Sequence, residues 1–412
     1  MVALAQLSPS ERALNKRVNE IIISLLNFKM RLYPTQSQER HLEEVLEINR
    51  LVYNYFVTNN FKSRNDMNYA LIELKEQQPV LRQYHSKMLQ MISTKVAGAR
   101  SALYELKHRG HEAGSGELQL LKPGECNSFV YNQSGYRIDT CADGGQALLY
   151  LTRIGHIEIR VHRRLYDIAQ VTVVKKAGRW YAILACKVMR RNQCSLKYER
   201  TVGIDVGVKN YVYDSDGNHV ENPLFLSKEL KPLRRVQRKV SRRKKGSSNY
   251  KKAVSSLQLL HMRIANKRRD FLHKLSNYYS KRYDVIFLER LRLNNMNKNH
   301  CLARHVMDSS WGTFGQLLQY KANRVVDIDP YHTTVDCSGC GNKVPKTLAI
   351  RLHECNTCGA ILDRDYNSSM VIHDRGRVLL NLPMRHREVT PVETRSRVLE
   401  AGTSPHPLGV GS

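Results

Sequence analysis

The sequence has 412 residues, 42% of them hydrophobic, enough for two or three soluble domains with cores of their own. Its charge is out of the ordinary: 66 Lys and Arg against 37 Asp and Glu leave a formal +29, an excess that repels itself unless a polyanion neutralises it. Nucleic acid is therefore the expected partner, and no membrane contact is expected, since nothing is long and apolar enough to span one and no long amphipathic basic helix ends in an apolar face.

In chain order, residues 1–26 read as a helical extension without recognisable chemistry. Asn27 to Tyr33 alternates apolar and polar positions as a half-buried strand does, and Pro34 stops it. Thr35 offers a helix N-cap, with Gln38 three residues on as in a capping box. Helical spacing then runs to about residue 108, with Leu42, Val45, Leu46, Leu51 and Tyr55 among the apolar positions, and predicts a small helical bundle closed by a His- and Gly-rich loop at 109–117. From 118 to 200 short apolar runs alternate with turn residues, which predicts a small β-barrel joined by the first strand across the helical insertion. Residues 201–300 read as strand, hairpin, long basic helix and strand. A cysteine module and a helix beginning near Asp363 follow, and periodicity fades after about 377 into an expected disordered tail.

Cys337, Cys340, Cys355 and Cys358 form two C-x-x-C-G knuckles with fourteen residues between them. Each spacing turns two sulfurs to one point, and four thiolates fill a tetrahedral zinc shell with no open position, the mark of a structural site. The doubled knuckle also suits a rubredoxin-type iron centre, but an electron carrier inside so basic a chain is out of place. Cys126, Cys141, Cys186, Cys194 and Cys301 are scattered singly, which argues against a disulfide framework and, with no secretory leader pattern at the start, for a reducing, cytoplasmic setting.

Three carboxylates stand at positions suited to chemistry. Asp205 lies in Thr201 to Val208, where Val202, Ile204, Val206 and Val208 share one face and Gly203, Asp205 and Gly207 the other, the glycines leaving room for metal ions and a phosphate. Glu289 closes Val285 to Leu288, an apolar run fit for a buried parallel strand, at the end where α/β sheets place their sites. Asp365 stands in Asp363-Arg-Asp-Tyr-Asn367 at a helix start, where one of the two acids serves as a plain N-cap. Three such acids on separate elements suit two magnesium ions for phosphodiester hydrolysis.

Lys231 to Lys252 holds eleven Lys or Arg in twenty-two residues, including Arg242, Arg243, Lys244 and Lys245. The run continues through Lys267, Arg268 and Arg269, with Ile264, Phe271, Leu272 and Leu275 as an apolar stripe that docks the helix on a core. These cations are expected to track a nucleic-acid backbone.

Together these residues resemble TnpB, the family of transposon-encoded RNA-guided DNA endonucleases related to compact type V CRISPR effectors. The resemblance covers about residues 27–375. It rests on Phe28 to Pro34 and Leu51 to Phe56, on Ile154 to Arg160, on Gly203-Ile-Asp205-Val-Gly, on Ser241 to Gly246, on Asn266 to Lys274, on Glu289, and on the knuckles inserted just before Asp365. It implies a multidomain α/β plus β-barrel chain: first strand of a β-barrel (wedge) domain at 27–35, helical recognition domain at 36–117, the rest of the barrel at 118–200, RNase H-like (RuvC) nuclease domain at 201–330, zinc ribbon at 331–362, last RuvC helix at 363–377 and tail at 378–412. Asp205, Glu289 and Asp365 would be the catalytic magnesium ligands, with Asp363 the cap. Guide RNA and target DNA would be the partners of a nucleoid-associated prokaryotic enzyme, a monomer on its RNA, and guide pairing would select the target.

Two departures from the family pattern stand out. The usual longer, Gly-containing turn is missing between Tyr320-Lys-Ala-Asn323 and Arg324, which predicts strain in the nuclease sheet, and Thr-Ser-Gln-x-Cys is replaced by Thr333-Thr-Val-Asp-Cys337. A compact CRISPR effector, a guide-free transposase and a non-cutting RNA-guided repressor share parts of this pattern; the repressor is disfavoured because all three acids are present.

Overall fold

The computed structural model describes residues 21–110, 117–140, 147–163, 165, 167–191, 198–291, 307–347, 350–384 and 397–398. The chain divides into two units, 1–192 and 193–412.

The first unit is built on one long strand, β1 (Ile21–Tyr33), which pairs antiparallel with β7 (Arg179–Arg191) over Ile21 to Arg31. The strand therefore begins six residues before the alternation at Asn27, and the expected helical extension is corrected at 21–26; residues 1–20 lie outside the described residues. Ile21-Ile-Ile-Ser-Leu-Leu26 has no period that separates helix from strand, and only the partner strand decides. Thr35 and Gln38 form the capping box that opens α1 (Gln36–Thr58). Ser63 and Asp66 form a second one at α2 (Arg64–Gln77), and α3 (Ser86–His108) follows. The buried stripe of α1 is Leu42, Val45, Leu46, Asn49, Val52, Tyr53 and Phe56; Leu51, expected on it, lies off the stripe and is 46% exposed.

After the helices come β2 (Ser128–Asn132), β3 (Tyr136–Thr140), β4 (Ala147–Leu151), β5 (Gly155–Arg160) and β6 (Ile168–Lys176). All pair antiparallel in the order β2-β6-β7-β1-β5-β4-β3. The two edge strands are consecutive in the chain, and Tyr136 of β3 donates its hydroxyl to the carbonyl of Ile168 in β6, so the sheet curls until it is nearly closed.

The second unit holds a mixed sheet. β8 (Thr201–Asp205), β9 (Asn210–Asp214) and β10 (Asn218–Glu221) form an antiparallel meander. β11 (Val285–Glu289) and β12 (Arg324–Ile328) run parallel to β8, in the order β12-β11-β8-β9-β10. Parallel neighbours need crossovers. A short helix α4 (Phe225–Lys228), then α5 (Leu230–Ser241) and α6 (Ser248–Arg282), link β10 to β11, and α7 (Trp311–Lys321) precedes β12. The connector of α7 to β12 is only Ala322 and Asn323, yet all five β12 residues stay in register with β11 and neither connector residue has a positive φ. The strain expected from the short turn is not found. Ala322 simply leaves the helix in an extended conformation.

Helices cover both faces of this sheet. Ile286 and Leu288 pack with Val202, Ile204, Phe271, Leu275 and Phe314 on the α6–α7 side. Val285 and Phe287 pack with Ile328 and Ile372 on the other side, under α8 (Arg364–Leu379). Each such buried side chain contributes about 1.5–3 kcal/mol. The helix runs two residues past the expected end, and Arg377 holds the chain beyond it through its Nε–H to the carbonyl of Pro383 at 2.7 Å. Part of the expected tail is thus ordered, and the two residues Arg397–Val398 pair parallel with β10 at the edge of the sheet; the remainder, 385–396 and 399–412, lies outside the described residues.

Candidate functional site

The two faces of the sheet determine where the acids point. In β11, Val285 and Phe287 face α8, so Glu289 does too. In β8, Val202 and Ile204 face α6 and α7, which turns Gly203 and Asp205 toward α8. The pairing of Phe287 with Gly203 and Leu288 with Ile204 continues to set Glu289 beside Asp205 at adjacent parallel strand ends. Asp365 arrives from the first turn of α8 on that same face.

The electrostatics agree with this convergence. Asp205 is 9% exposed, and burial first, then the negative charges of Glu289 and Asp365, push its carboxyl well above the ordinary range, against a smaller opposing pull from Arg364. Glu289 is also raised, chiefly by burial. A hydrogen bond from Thr333 and the charge of Arg375 lower it, and the nearby Asp329 raises it. Asp365 is gripped by Arg364, at 3.1 and 3.2 Å, and by Arg351 at 3.5 Å. Asp363 takes the cap, accepting from the amides of Asp365 and Tyr366, as expected.

Asp205, raised by burial and by the charges of Glu289 and Asp365, stands with those two acids as a donor set for a hard cation, whose charge would relieve the repulsion at Asp205, and their all-oxygen chemistry fits magnesium. The glycines need a correction. A Cβ at Gly203 would lie 2.3 Å from the Ser369 carbonyl and 2.6 Å from the His373 amide, so the space at Gly203 is filled by the backbone of α8 rather than left for an ion. At Gly207 a Cβ would lie 2.9 Å from the Asn210 carbonyl and 3.7 Å from an Asp365 carboxylate oxygen, so this glycine alone of the two borders the acids.

The four cysteine sulfurs lie within 4.8 Å of one another, with Cys337–Cys358 at 3.6 Å and Cys340–Cys355 at 3.5 Å. A tetrahedral zinc site with bonds of about 2.3 Å has sulfur edges near 3.8 Å, so the cluster fits the ion. The knuckles are built alike: Gly341 donates to the Cys337 carbonyl and Gly359 to the Cys355 carbonyl, both at 2.8 Å, each glycine at a positive φ. Antiparallel β13 (Leu352–Glu354) and β14 (Ile361–Asp363) carry the second knuckle directly into α8. Asn367 ties the first knuckle to the same helix, accepting from the Ser338 amide at 2.9 Å and donating to the Asp336 carbonyl at 2.8 Å.

The basic run is two helices rather than one. Gly246 has a left-handed φ and Ser247 caps α6, so Arg242, Arg243, Lys244 and Lys245 form the exposed turn of a helical hairpin. Lys267 pairs with Glu229 at 3.0 Å, and Arg268, half-buried, with Asp308. Arg268, expected on a nucleic-acid face, is held in an ion pair within the fold, whereas Lys267, though paired, and Arg269 are both exposed. Arg351, Arg364, Thr333, Arg375 and Asn367 are not apparent as site residues from the sequence. The arginine inside Asp363-Arg-Asp365 is the one local signal that points to any of them.

Among the described residues no helix is long and apolar enough to cross a membrane. Family models match along the chain: "Helix-turn-helix domain" over 24–66, "Probable transposase" (OrfB_IS605) over 184–300 and "Cas12f1-like, TNB domain" over 311–372. A protein of Streptomyces pristinaespiralis named "Putative RNA-guided DNA endonuclease" is 30% identical over 372 residues, 83% of this chain and 87% of that protein. InsQ of Escherichia coli K12, with the same description, is 29% identical over 286 residues, 64% of this chain and 69% of the relative. The fold is similar to that of Cas12f1 in a cryo-EM structure of its complex with sgRNA and target DNA, at a TM-score of 0.50 and 13% identity, covering 86% of this chain and 99% of that one.

Proposed function

We infer the activity from kinship: the chain belongs to the TnpB family, and it acts as an RNA-guided DNA endonuclease associated with a transposable element. Guide RNA and target DNA are its partners, and the +29 charge suits both. The observation that carries the chemistry is the convergence of Asp205, Glu289 and Asp365 on the α8 face of the sheet.

On this reading the mixed sheet is an RNase H-like (RuvC) nuclease domain, the curled sheet is the wedge and its helices the recognition domain. Asp205, Glu289 and Asp365 hold magnesium, which would activate a water and stabilise the leaving oxygen of the cut phosphodiester. The protein's own part is to hold the acids in place. Adjacent strand ends fix Asp205 and Glu289, and Arg364 and Arg351 hold the Asp365 carboxylate. Zinc on the four cysteines is structural, and its ribbon sets the start of α8.

Sequencing the RNA that copurifies with the protein tests the guide. A discrete species is expected, and a random pool would refute the guided reading. Asp205→Ala is expected to lower magnesium-dependent cleavage about 100- to 1,000-fold while RNA stays bound. Cutting at the wild-type rate would remove Asp205 from the site.

A further inference from the structure

The connector from β12 to the first knuckle, residues 329–336, is fastened more firmly than a tether needs. Arg375 donates to the Tyr331 carbonyl at 2.6 Å, to the Asp329 carbonyl at 3.3 Å and to the Asp336 carboxylate at 2.6 Å. Asn367 holds the Asp336 carbonyl. His332 turns the chain in a left-handed conformation, φ 60°, which a histidine adopts only where its surroundings hold it there. The next residue, Thr333, is 2% exposed, and its hydroxyl lies 3.1 Å from Glu289 Oε1 and 3.3 Å from the Pro330 carbonyl.

A hydroxyl has one proton, and the ionised carboxylate is the stronger acceptor and the nearer one. We propose that Thr333 is a positioning residue for Glu289: the clamped connector delivers its hydroxyl to one carboxylate oxygen, Oε1, and so fixes the other for a divalent cation. This rests on the reading of Asp205, Glu289 and Asp365 as a metal site. The groups facing Glu289 are Asp205 on β8, Asp329 beyond β12 and Arg375 on α8, and Thr333 is the neutral donor among them. Partners that orient a ligand in this way typically change metal affinity 10- to 100-fold.

The test uses the full-length protein with its copurified RNA and counts bound manganese by electron paramagnetic resonance, with the Asp205→Ala complex as the blank for ions held by RNA. Thr333→Val, which keeps the shape and removes the hydroxyl, is expected to weaken the site about 10-fold or more. Thr333→Ser, which keeps the hydroxyl and removes the methyl, is expected to stay within about 3-fold of wild type, a range too small for the loss of such a partner. In a Glu289→Gln background Thr333→Val should add nothing. A packing role would reverse the order of Val and Ser, and that order, or wild-type affinity in Thr333→Val, overturns the proposal. If Asp205→Ala binds manganese as wild type does, the underlying metal-site reading fails instead. Zinc content and retained RNA report that each variant is folded.

Discussion

Asp205 is the residue whose state says most about the centre. Burial and two neighbouring anions raise its carboxyl, so the folded chain holds that proton more tightly than the unfolded chain. The resulting stability is full below the ordinary carboxyl value of about 3.9 and is lost as pH rises through the raised folded value. Asp205→Asn removes that loss. In magnesium-free buffer its melting midpoint should exceed wild type by a few degrees at pH 7–8, since about 1 kcal/mol moves a domain of this size by about 2–4 °C. The gap should close toward pH 4, and a gap independent of pH would contradict the cause given. The acids themselves were legible because strand ends and helix starts have local signatures. Their partners were not: Thr333 lies 44 residues from Glu289 and Arg351 14 from Asp365, distances that only the folded chain closes.

At the scale of elements, α8 meets β8 backbone to backbone at Gly203 and meets β11 across the Phe287 ring. A Cβ at Gly203 would strike the backbone of Ser369 and His373, and one at Gly376 would come 2.1 Å from the Phe287 ring. Gly203→Ala and Gly376→Ala should each cost about 1–3 kcal/mol or more, read from denaturant midpoints, because neither neighbour is a flexible side-chain end. Unaltered midpoints would mean that the helix can lift away. Beside Thr201 the contact is polar: its hydroxyl lies 2.9 Å from His373 Nε2 and accepts from Arg377 at 2.8 Å. The knuckles, the capping box at Thr35 and the strand at Val285 were readable because each depends on residues close in sequence. The first six residues of β1 and the break between α5 and α6 were not. A short apolar run fits either period, and the basic run drew attention from the Gly246-Ser247 stop within it.

For the whole molecule, the excess of positive charge has an identifiable exposed outlet in Arg242, Arg243, Lys244 and Lys245 at the tip of the α5–α6 hairpin. Replacing all four with Gln should weaken RNA or DNA binding and flatten the slope of log affinity against log salt by about 3, at roughly 0.7–0.9 for each phosphate no longer neutralised. An unchanged slope would leave those cations solvated and idle. Arg268 is expected to behave differently, since its half-buried ion pair with Asp308 makes it part of the fold.

The position of the ribbon in the chain also sets an order in time. Asp205 and Glu289 leave the ribosome first, and Asp365 follows only after both knuckles. At about 5–20 residues per second, the interval from Asp205 to Asp365 is on the order of ten seconds or more. For the part of it that follows residue 282, the nascent chain displays the basic hairpin but lacks the third acid. On the proposed assignment, a growing or prematurely terminated chain can gather RNA while remaining unable to cut.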